Sequence, residues 1–414
     1  MPREQATIAL DVGTTKICTL IGEIEPGRPL NIVGVGTAES RGMRKGVVVN
    51  IDEVAGAISE AVEQCARLSG YRIGSAFVGV TGAHIQGLNT RGVVAVSSTA
   101  NEIAHADVDR AMEAARVQAV SHDREVLHVL PRGYTLDGQE GVRDPIGMSG
   151  HRLEAEMHIV TAATTSVHNL VRAVKRANID IDDLVLQPLA SAEAVLTPAE
   201  RDLGVALVDI GGGTTDIAIF HEQGVSHSAS IAVGGNHITN DLALGLRAPF
   251  ALAEDVKLRY GTALAGDIDP GEAVELKTFD NEEGEQVSKR LIAEIIESRM
   301  QEIFALIRRE IDRAGYLRLL PAGVVLTGGT AELRDIRQLG RDVLSMPVRV
   351  GRPGHVVGLT ETVTRPAFAT SVGLLLWAGG RDAEPVSSAS LAGAGAQWRP
   401  NGRGVGRWLR EFLP

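Results

Sequence analysis

The chain has 414 residues, a net charge of −11, and 44% hydrophobic against 22% charged residues. These values predict a globular protein with more than one domain, because so long a chain exceeds one compact core. The negative charge argues against nucleic-acid binding, which needs a basic surface, and the lack of about 18 consecutive apolar residues argues against a membrane span.

The first predicted elements are two short strands joined by a turn rich in Gly and Thr. Residues 8–10 and 17–24 are apolar, and the turn between them reads DVGTTK at residues 11–16. A helix is predicted at residues 52–68, where apolar residues recur at helical spacing. Residues 121–163 are mostly strand-like, and a further helix is predicted at residues 166–177.

The second half of the chain repeats the opening pattern. An apolar strand leads into DIGGGTTD at residues 209–216 and a second apolar strand follows. Residues 251–315 are mainly helical, and a strand then ends at TGG, residues 327–329. The internal duplication predicts two similar domains facing each other across a cleft, and the alternation of helices and strands makes α/β the fold class.

The three turns together predict a nucleotide site. Backbone N–H groups converging in Gly-rich turns hold phosphate oxygens, Thr adds hydroxyl donors, and Lys16 adds a positive charge. Asp11 and Asp209, each ending a strand, are placed to hold Mg²⁺ through water. Each turn alone has a structural hairpin as its alternative, but three in this order favour triphosphate. Neither a P-loop pattern nor a Rossmann fingerprint is present.

These turns resemble the phosphate-1, phosphate-2 and adenosine motifs of the actin, hexokinase and heat-shock chaperone superfamily. Within it, the sequence resembles the FtsA family of bacterial cell-division proteins over essentially its whole length. The matching stretches are SRGM at 40–43 with KG at 45–46, VLHV at 126–129, QEGV at 139–142 with GMSG at 147–150, LVDIGGGT at 207–214, VLTGG at 325–329 and SVGLL at 371–375.

The resemblance implies an actin-like two-lobed ATPase fold with a duplicated strand-turn-strand core, an FtsA-type inserted subdomain and a C-terminal amphipathic helix. The implied divisions are residues 1–84 and 164–190 for the first-lobe core, 85–163 for the inserted subdomain, 191–229 and 304–335 for the second-lobe core, 230–303 for the second-lobe small subdomain, 336–380 for a segment returning to the first lobe, 381–402 for a flexible linker and 403–414 for the membrane-targeting helix.

Site residues are carried over from the family motif by motif. The implied ATP contacts are Asp11, Gly13, Thr14, Thr15, Lys16, Asp209, Gly211, Gly212, Gly213, Thr214, Gly234, Gly235, Asn236, Glu254, Lys257, Gly328 and Gly329. For Glu254 and Lys257 the alternative is an exposed ion pair one helical turn apart. Asp216 and Gln187 are the candidates to position the attacking water, and Gln187 has capping of the loop before Pro188 as its alternative.

The C-terminal tail reverses the charge of the chain and is predicted to bind a membrane. From residue 405, apolar side chains recur at i, i+3, i+4, i+7 and i+8, with arginines on the other side. Such a helix can lie in the lipid interface, and anionic lipids strengthen its binding. The alternative is a helix docked on the core of the protein. The residues predicted to meet the membrane are Val405, Arg407, Trp408, Leu409, Arg410, Phe412 and Leu413.

The resemblance implies an adaptor at the division septum, peripheral on the cytoplasmic side of the cell inner membrane. Relatives polymerise head to tail, bind the C-terminal tail of FtsZ on the second-lobe small subdomain, and recruit later division proteins of the membrane. Turnover of ATP is at most slow. The alternatives are a sugar or acetate kinase, a chaperone ATPase, or a pilus-assembly adaptor of the same superfamily. A kinase has no use for an amphipathic tail, a chaperone should carry a separate substrate-binding domain after the lobes, and the region-by-region resemblance favours FtsA over the pilus adaptor.

Overall fold

The computed structural model describes residues 6–382 except residues 26, 99, 118–120, 122 and 280–283. The predicted membrane-targeting helix at 403–414 lies outside the described residues, as does the predicted linker apart from its first two residues, which end the last helix. Within the described part of the chain, no helix has both the length and the apolar character that a membrane crossing requires.

The secondary structure alternates between strands and helices. The strands are β1 (Ala6–Val12), β2 (Lys16–Glu23), β3 (Leu30–Glu39), β4 (Met43–Arg44), β5 (Val47–Val48), β6 (Ser75–Val80), β7 (Ile85–Ala95), β8 (Arg124–Leu136), β9 (Gln139–Val142), β10 (Arg152–Ala163), β11 (Asp180–Leu186), β12 (Val205–Ile210), β13 (Thr215–His221), β14 (Gly224–Ile231), β15 (Ala273–Leu276), β16 (Glu285–Ser288), β17 (Val324–Thr327), β18 (Val348–Val350) and β19 (Val356–Gly358). The helices are α1 (Ile51–Ser69), α2 (His105–Val117), α3 (Thr164–Arg176), α4 (Gln187–Val195), α5 (Pro198–Leu203), α6 (Gly235–Gly245), α7 (Phe250–Tyr260), α8 (Lys289–Arg313), α9 (Ile336–Leu344), α10 (Thr360–Val363) and α11 (Ala369–Asp382).

The first lobe is built on a six-stranded sheet with the order β11-β6-β1-β2-β3-β19. Its helix α1 begins after Asn50, whose side-chain oxygen accepts hydrogen bonds from the backbone N–H groups of Asp52 and Glu53. This N-cap satisfies donors that the first helical turn cannot pair internally. The apolar face of α1 packs against β3 and buries one side of the sheet.

The second lobe repeats the central strands of the first in a five-stranded sheet, β14-β13-β12-β17-β18. In each lobe a strand pairs antiparallel with the next strand of the chain and parallel with a later one: β1 with β2 and β6, β12 with β13 and β17. Asp11 and Asp209 hold corresponding places near the ends of β1 and β12. The predicted duplicated core is therefore confirmed.

A separate four-stranded sheet, β7-β10-β8-β9, lies in the chain between the two halves of the first lobe. Helix α2 covers one face of it and buries Val108, Ala111, Met112 and Ala115 in a common core with β10. This helix was not predicted from the sequence, although those four residues have helical spacing. Apart from these four residues, α2 has too few apolar side chains for its sequence pattern to indicate a helix.

Residues 230–303, assigned by the resemblance to the second-lobe small subdomain, contain α6, α7, the β15–β16 hairpin and the first part of α8. Helix α8 has 25 residues and buries one stripe of apolar side chains along its length, the pattern of a helix that packs on one face. Helix α9 and strand β18 stay with the second-lobe sheet, and the chain returns to the first-lobe sheet at β19. The last helix, α11, packs against α4.

Candidate functional site

The two predicted phosphate turns, one from each lobe, are in direct contact. A Cβ built on Gly212 would stand 1.9 Å from the Thr15 hydroxyl oxygen, and one on Gly213 would stand 2.6 Å from that of Thr14. No side chain fits in that space, because real Cβ atoms do not approach other atoms so closely. Glycine is therefore needed at both positions for the lobes to meet.

Both turns have the same backbone hydrogen bond. The N–H of Gly13 donates to the carbonyl of Lys16 at 3.1 Å, and the N–H of Gly211 donates to the carbonyl of Thr214 at 2.9 Å. The duplication thus extends from the strands to the turn geometry. A tight turn of this kind leaves the remaining N–H groups directed out of the ladder, where an anion can accept from them.

The predicted segment Gly234, Gly235 and Asn236 packs directly on the second turn. The N–H groups of Gly235 and Asn236 donate to the carbonyls of Gly211 and Gly212, each at 2.8 Å. Helix α6 begins at Gly235, so its N-terminal end, which carries partial positive charge, lies beside the turn. This arrangement favours negative charge in the cleft.

The third turn approaches the site from the C-terminal part of the second lobe. Gly328 has φ +86, and a Cβ there would stand 2.3 Å from Asp209 Oδ1. Both the left-handed conformation and the contact with the carboxylate require glycine. Gly329 starts a 3₁₀ turn, and the hydroxyl of Thr330 donates to the carbonyl of Gly211 at 3.2 Å. The three predicted turns are therefore neighbours.

Asp11 is buried and held by side chains from two helices. The amide nitrogen of Gln187 donates to Oδ1 at 2.9 Å, and the hydroxyl of Ser371 donates to Oδ2 at 3.2 Å. Burial raises the pKa of Asp11 to about 6, against the positive charge of Lys16. An ionised carboxylate in this place needs a cation nearby.

Asp209 has a matching environment in the second lobe. The hydroxyls of Ser191 and Thr370 donate to its Oδ2 at 2.7 and 3.1 Å. Burial raises the pKa of Asp209 as well. Since Thr370 and Ser371 are adjacent in α11, the start of one helix holds the carboxylates of both lobes, Asp209 and Asp11.

Lys16 links the first turn to the segment before α11. Its Nζ donates to the carbonyl of Ala367 at 2.8 Å and lies 3.4 Å from the ring centroid of Phe368, a cation–π arrangement. The charge of Lys16 opposes the rise in the pKa of Asp11 and of Asp209. The ammonium group of Lys16 therefore favours the charged form of both carboxylates.

Asp216 lies at the start of β13 and is buried between the lobes. The hydroxyl of Thr214 donates to its Oδ2 at 3.0 Å, and the hydroxyl of Thr81, from the first lobe, donates to its Oδ1 at 2.5 Å. Burial raises the pKa of Asp216 to about 6. Both carboxylate oxygens therefore have a hydroxyl donor.

Glu254 and Lys257 form an ion pair of 2.7 Å on α7. The side chain of Lys257 is only 11% exposed, and its Nζ also donates to the Thr239 hydroxyl at 2.8 Å and the Gly235 carbonyl at 3.3 Å. The pair is therefore tied to the start of α6 beside the second turn. It does not have the freedom of an exposed surface pair.

The structure brings together all three turns, both strand-end aspartates and the two candidates for positioning water. Four polar contacts of the site were missed in the sequence analysis: Thr81, Ser191, Thr370 and Ser371. Ser371 opens the family stretch SVGLL, but nothing in its spacing indicated a bond to Asp11. Among the described residues, no three His, Cys, Asp or Glu side chains are arranged as a metal-ligand group.

Comparison with solved structures defines the class of protein. The chain matches the PilM–PilN type IV pilus biogenesis complex with a TM-score of 0.65 at 16% identity, covering 92% of this chain and 100% of that one. It matches MreB5 of Spiroplasma citri bound to AMPPNP with a TM-score of 0.54 at 14% identity, covering 91% of this chain and 96% of that one. The chain therefore has an actin-like, two-lobed fold.

Sequence comparison resolves the family within that class. A family model described as cell division protein FtsA matches residues 206–373, and one described as the SHS2 domain inserted in FtsA matches residues 82–161. FtsA of Pseudomonas aeruginosa is 45% identical over 89% of this chain and 88% of its own length. FtsA of Neisseria meningitidis is 41% identical over 91% of both. The chain belongs to the FtsA family of cell division proteins.

Proposed function

We propose that this chain binds ATP with Mg²⁺ in the cleft between its lobes and tethers FtsZ filaments to the cytoplasmic face of the inner membrane at the division septum. The observation that carries the nucleotide part is the contact between two Asp-led, Gly-rich turns from opposite lobes, with Gly212 against Thr15. Phosphates that bind both turns at once would hold the lobes together.

The residues of the cleft fit a magnesium–triphosphate group. Free N–H groups of the turns, the Lys16 ammonium and the N-terminal end of α6 supply the positive side. Asp11 and Asp209 are buried carboxylates whose pKa is raised by burial, so a divalent cation would stabilise their charged forms. Hard cations prefer such oxygens, and Mg²⁺ keeps several of its waters.

For hydrolysis, the geometry favours Asp216 over Gln187 as the residue that orients water. The side-chain nitrogen of Gln187 donates to Asp11, which gives Gln187 a role in holding that carboxylate. Asp216 follows the second phosphate turn directly and keeps a carboxylate close to it. Positioning and charge compensation are what this site would contribute to hydrolysis, and turnover is proposed to be slow at most.

The second-lobe small subdomain supplies a surface for the C-terminal tail of FtsZ. An open groove of about 300 Å³ is lined by Asp241 on α6 and by Ile295, Ser298, Arg299 and Glu302 on α8. It combines an apolar side chain with charges of both signs. A short tail segment could bury an apolar residue there and pair its polar groups along the rim.

The membrane part of the proposal rests on the sequence of residues 403–414. A tail of this length binds lipid weakly by itself, and head-to-tail polymerisation would join many tails on one filament. A polymer attached in this way would also present a surface from which later division proteins of the membrane are recruited. The kinase alternative provides no role for such a tail.

The adaptor function is tested by sedimentation with anionic liposomes. Purified full-length protein with ATP and Mg²⁺ is compared with a chain ending at residue 399, each mixed with FtsZ. The expected result is that the full-length chain brings FtsZ down with the liposomes and the shortened chain does not. If neither chain binds liposomes, the membrane role is wrong, and an enzyme of the same fold becomes the reading to test.

A further inference from the structure

A single hydrogen bond connects the lobes at the candidate hydrolytic carboxylate. Thr81 follows the last residue of β6 in the first lobe, and Asp216 lies on β13 of the second lobe. The Thr81 hydroxyl donates to Asp216 Oδ1 at 2.5 Å. Thr81 is 5% exposed and Asp216 is 3% exposed, so water does not compete effectively for this bond.

The backbone around Thr81 is fixed against the first phosphate turn. The hydroxyl of Thr14 accepts a hydrogen bond of 3.0 Å from the N–H of Gly46. Gly46 in turn packs against the chain after β6, so closely that a Cβ on it would stand 2.8 Å from the Cα of Gly82 and 3.1 Å from the carbonyl oxygen of Thr81. The backbone that carries the Thr81 hydroxyl is therefore held, through Gly46, in a fixed position relative to the first turn.

The other end of the bond is fixed to the second phosphate turn. The hydroxyl of Thr214, in that turn, donates to the second oxygen of Asp216. Asp216 also lies opposite Asp209 in the β12–β13 ladder. The carboxylate of Asp216 thus has the Thr214 hydroxyl and the nearby Ser230 hydroxyl on its own lobe, and the Thr81 hydroxyl from the opposite lobe. The Thr81 donor is available only while the lobes are closed.

We propose that Thr81 is an interlobe latch that positions Asp216, holding the cleft closed around bound nucleotide. The proposal rests on the proposed function, since it concerns release of ATP from that cleft. Opening of the lobes would break the Thr81–Asp216 bond and expose both groups to water, so the closed state would lose the net contribution of a hydrogen bond to a charged group. Closure would restore the bond and align Asp216 beside the phosphate turn.

The test measures how fast the full-length chain releases a fluorescent ATP analogue, bound with Mg²⁺, when excess unlabelled ATP is added. Thr81→Val keeps the shape of the side chain and removes the donor, whereas Thr81→Ser keeps the donor. We expect release about tenfold or more faster from Thr81→Val, the effect of losing a hydrogen bond to a charged group. Association should be nearly unchanged, and Thr81→Ser should release at close to the wild-type rate.

A matched control tests whether replacing any buried threonine by valine would change the rate of release. Thr19 on β2 is also fully buried, and its Oγ1 has no hydrogen-bond partner among the described residues. Thr19→Val should therefore leave release unchanged. Thermal unfolding, monitored by circular dichroism, checks that each variant is folded.

Each outcome decides between the alternatives. Release from Thr81→Val at the wild-type rate would overturn the latch, and so would equal acceleration by Thr81→Val and Thr81→Ser, because packing would then be the cause. A slower association without faster release would also contradict it. If the wild-type chain binds no ATP analogue at all, the proposed function fails, which is a different result from a latch that fails in a chain that binds.

Discussion

The backbone of Gly212 lies against Thr15 so closely that a Cβ on Gly212 would stand 1.9 Å from the threonine hydroxyl. One residue belongs to the second phosphate turn and the other to the first. The lobes therefore meet at the place where a bound phosphate chain would have to bridge them. The two turns can come this close because Gly212 has no side chain.

Gly212→Ala tests whether closure of the turns is needed for nucleotide binding. The added methyl group must push the turns apart, and overpacking of this kind costs about 1–3 kcal/mol. We expect ATP affinity to fall about tenfold, measured by equilibrium binding. Gly56→Ala is the control, because Gly56 lies on α1 with nothing within 4 Å of its Cβ position. Wild-type affinity in a folded Gly212→Ala chain would contradict the proposed site.

The interface between the inserted subdomain and the second lobe predicts a pH dependence of stability. His158 is fully buried, with its ring nitrogens 2.6 Å from Asn89 Oδ1 and 2.8 Å from Ser228 Oγ. Burial lowers the pKa of His158 to about 3. The unfolded chain, with an ordinary histidine, therefore binds the proton more readily, and stability is lost as pH falls below about 6.5.

At pH 5 this loss should be about 2 kcal/mol, since each pKa unit corresponds to about 1.4 kcal/mol. The free energy of urea unfolding is measured at pH 7.5 and pH 5 for wild type and His158→Gln. The variant should lose about 2 kcal/mol less on acidification than wild type does. His105→Gln, at the exposed start of α2, is the control. An equal pH dependence in wild type and His158→Gln would show that this histidine does not carry the effect.

If FtsZ docks in the proposed groove, two arginines of α8 should differ in their effect on binding. Arg299 donates through Nε and Nη2 to both carboxylate oxygens of Asp241, at 2.5 and 3.0 Å, and lines the groove. Arg290 forms an exposed pair with Glu294 on α8. We expect Arg299→Ala to weaken binding of an FtsZ tail peptide about tenfold in fluorescence anisotropy. Arg290→Ala should bind normally, and equal binding by both variants would place the docking surface elsewhere.

The sequence predicted the parts of the site that are continuous in the chain. Each phosphate turn carries its own strand, aspartate and glycines, so local spacing was enough to find it and the duplication to pair it. Thr81 and Thr370 were not predicted, because their roles depend on partners 135 and 161 residues away. The sequence around a threonine does not indicate which carboxylate its hydroxyl will contact in the folded chain.

The same contrast holds for the elements of the fold. Helix α1 was predicted because its apolar stripe is complete over five turns. Helix α2 was missed because its buried residues include two alanines among many charged neighbours. The predicted membrane-targeting residues, from Val405 to Leu413, stay a prediction, since they lie outside the described residues.

The central claim, that the cleft binds Mg²⁺-ATP, is tested most directly by isothermal titration of the full-length chain with ATP in the presence of Mg²⁺. We expect one ATP site per chain, with an affinity about tenfold or more lower in Lys16→Met, because this variant loses the charge beside both buried aspartates. Lys289→Met, whose ammonium pairs with Glu272 away from the cleft, should bind as wild type does. No heat of binding from the wild-type chain, or equal affinity in Lys16→Met, would contradict the account.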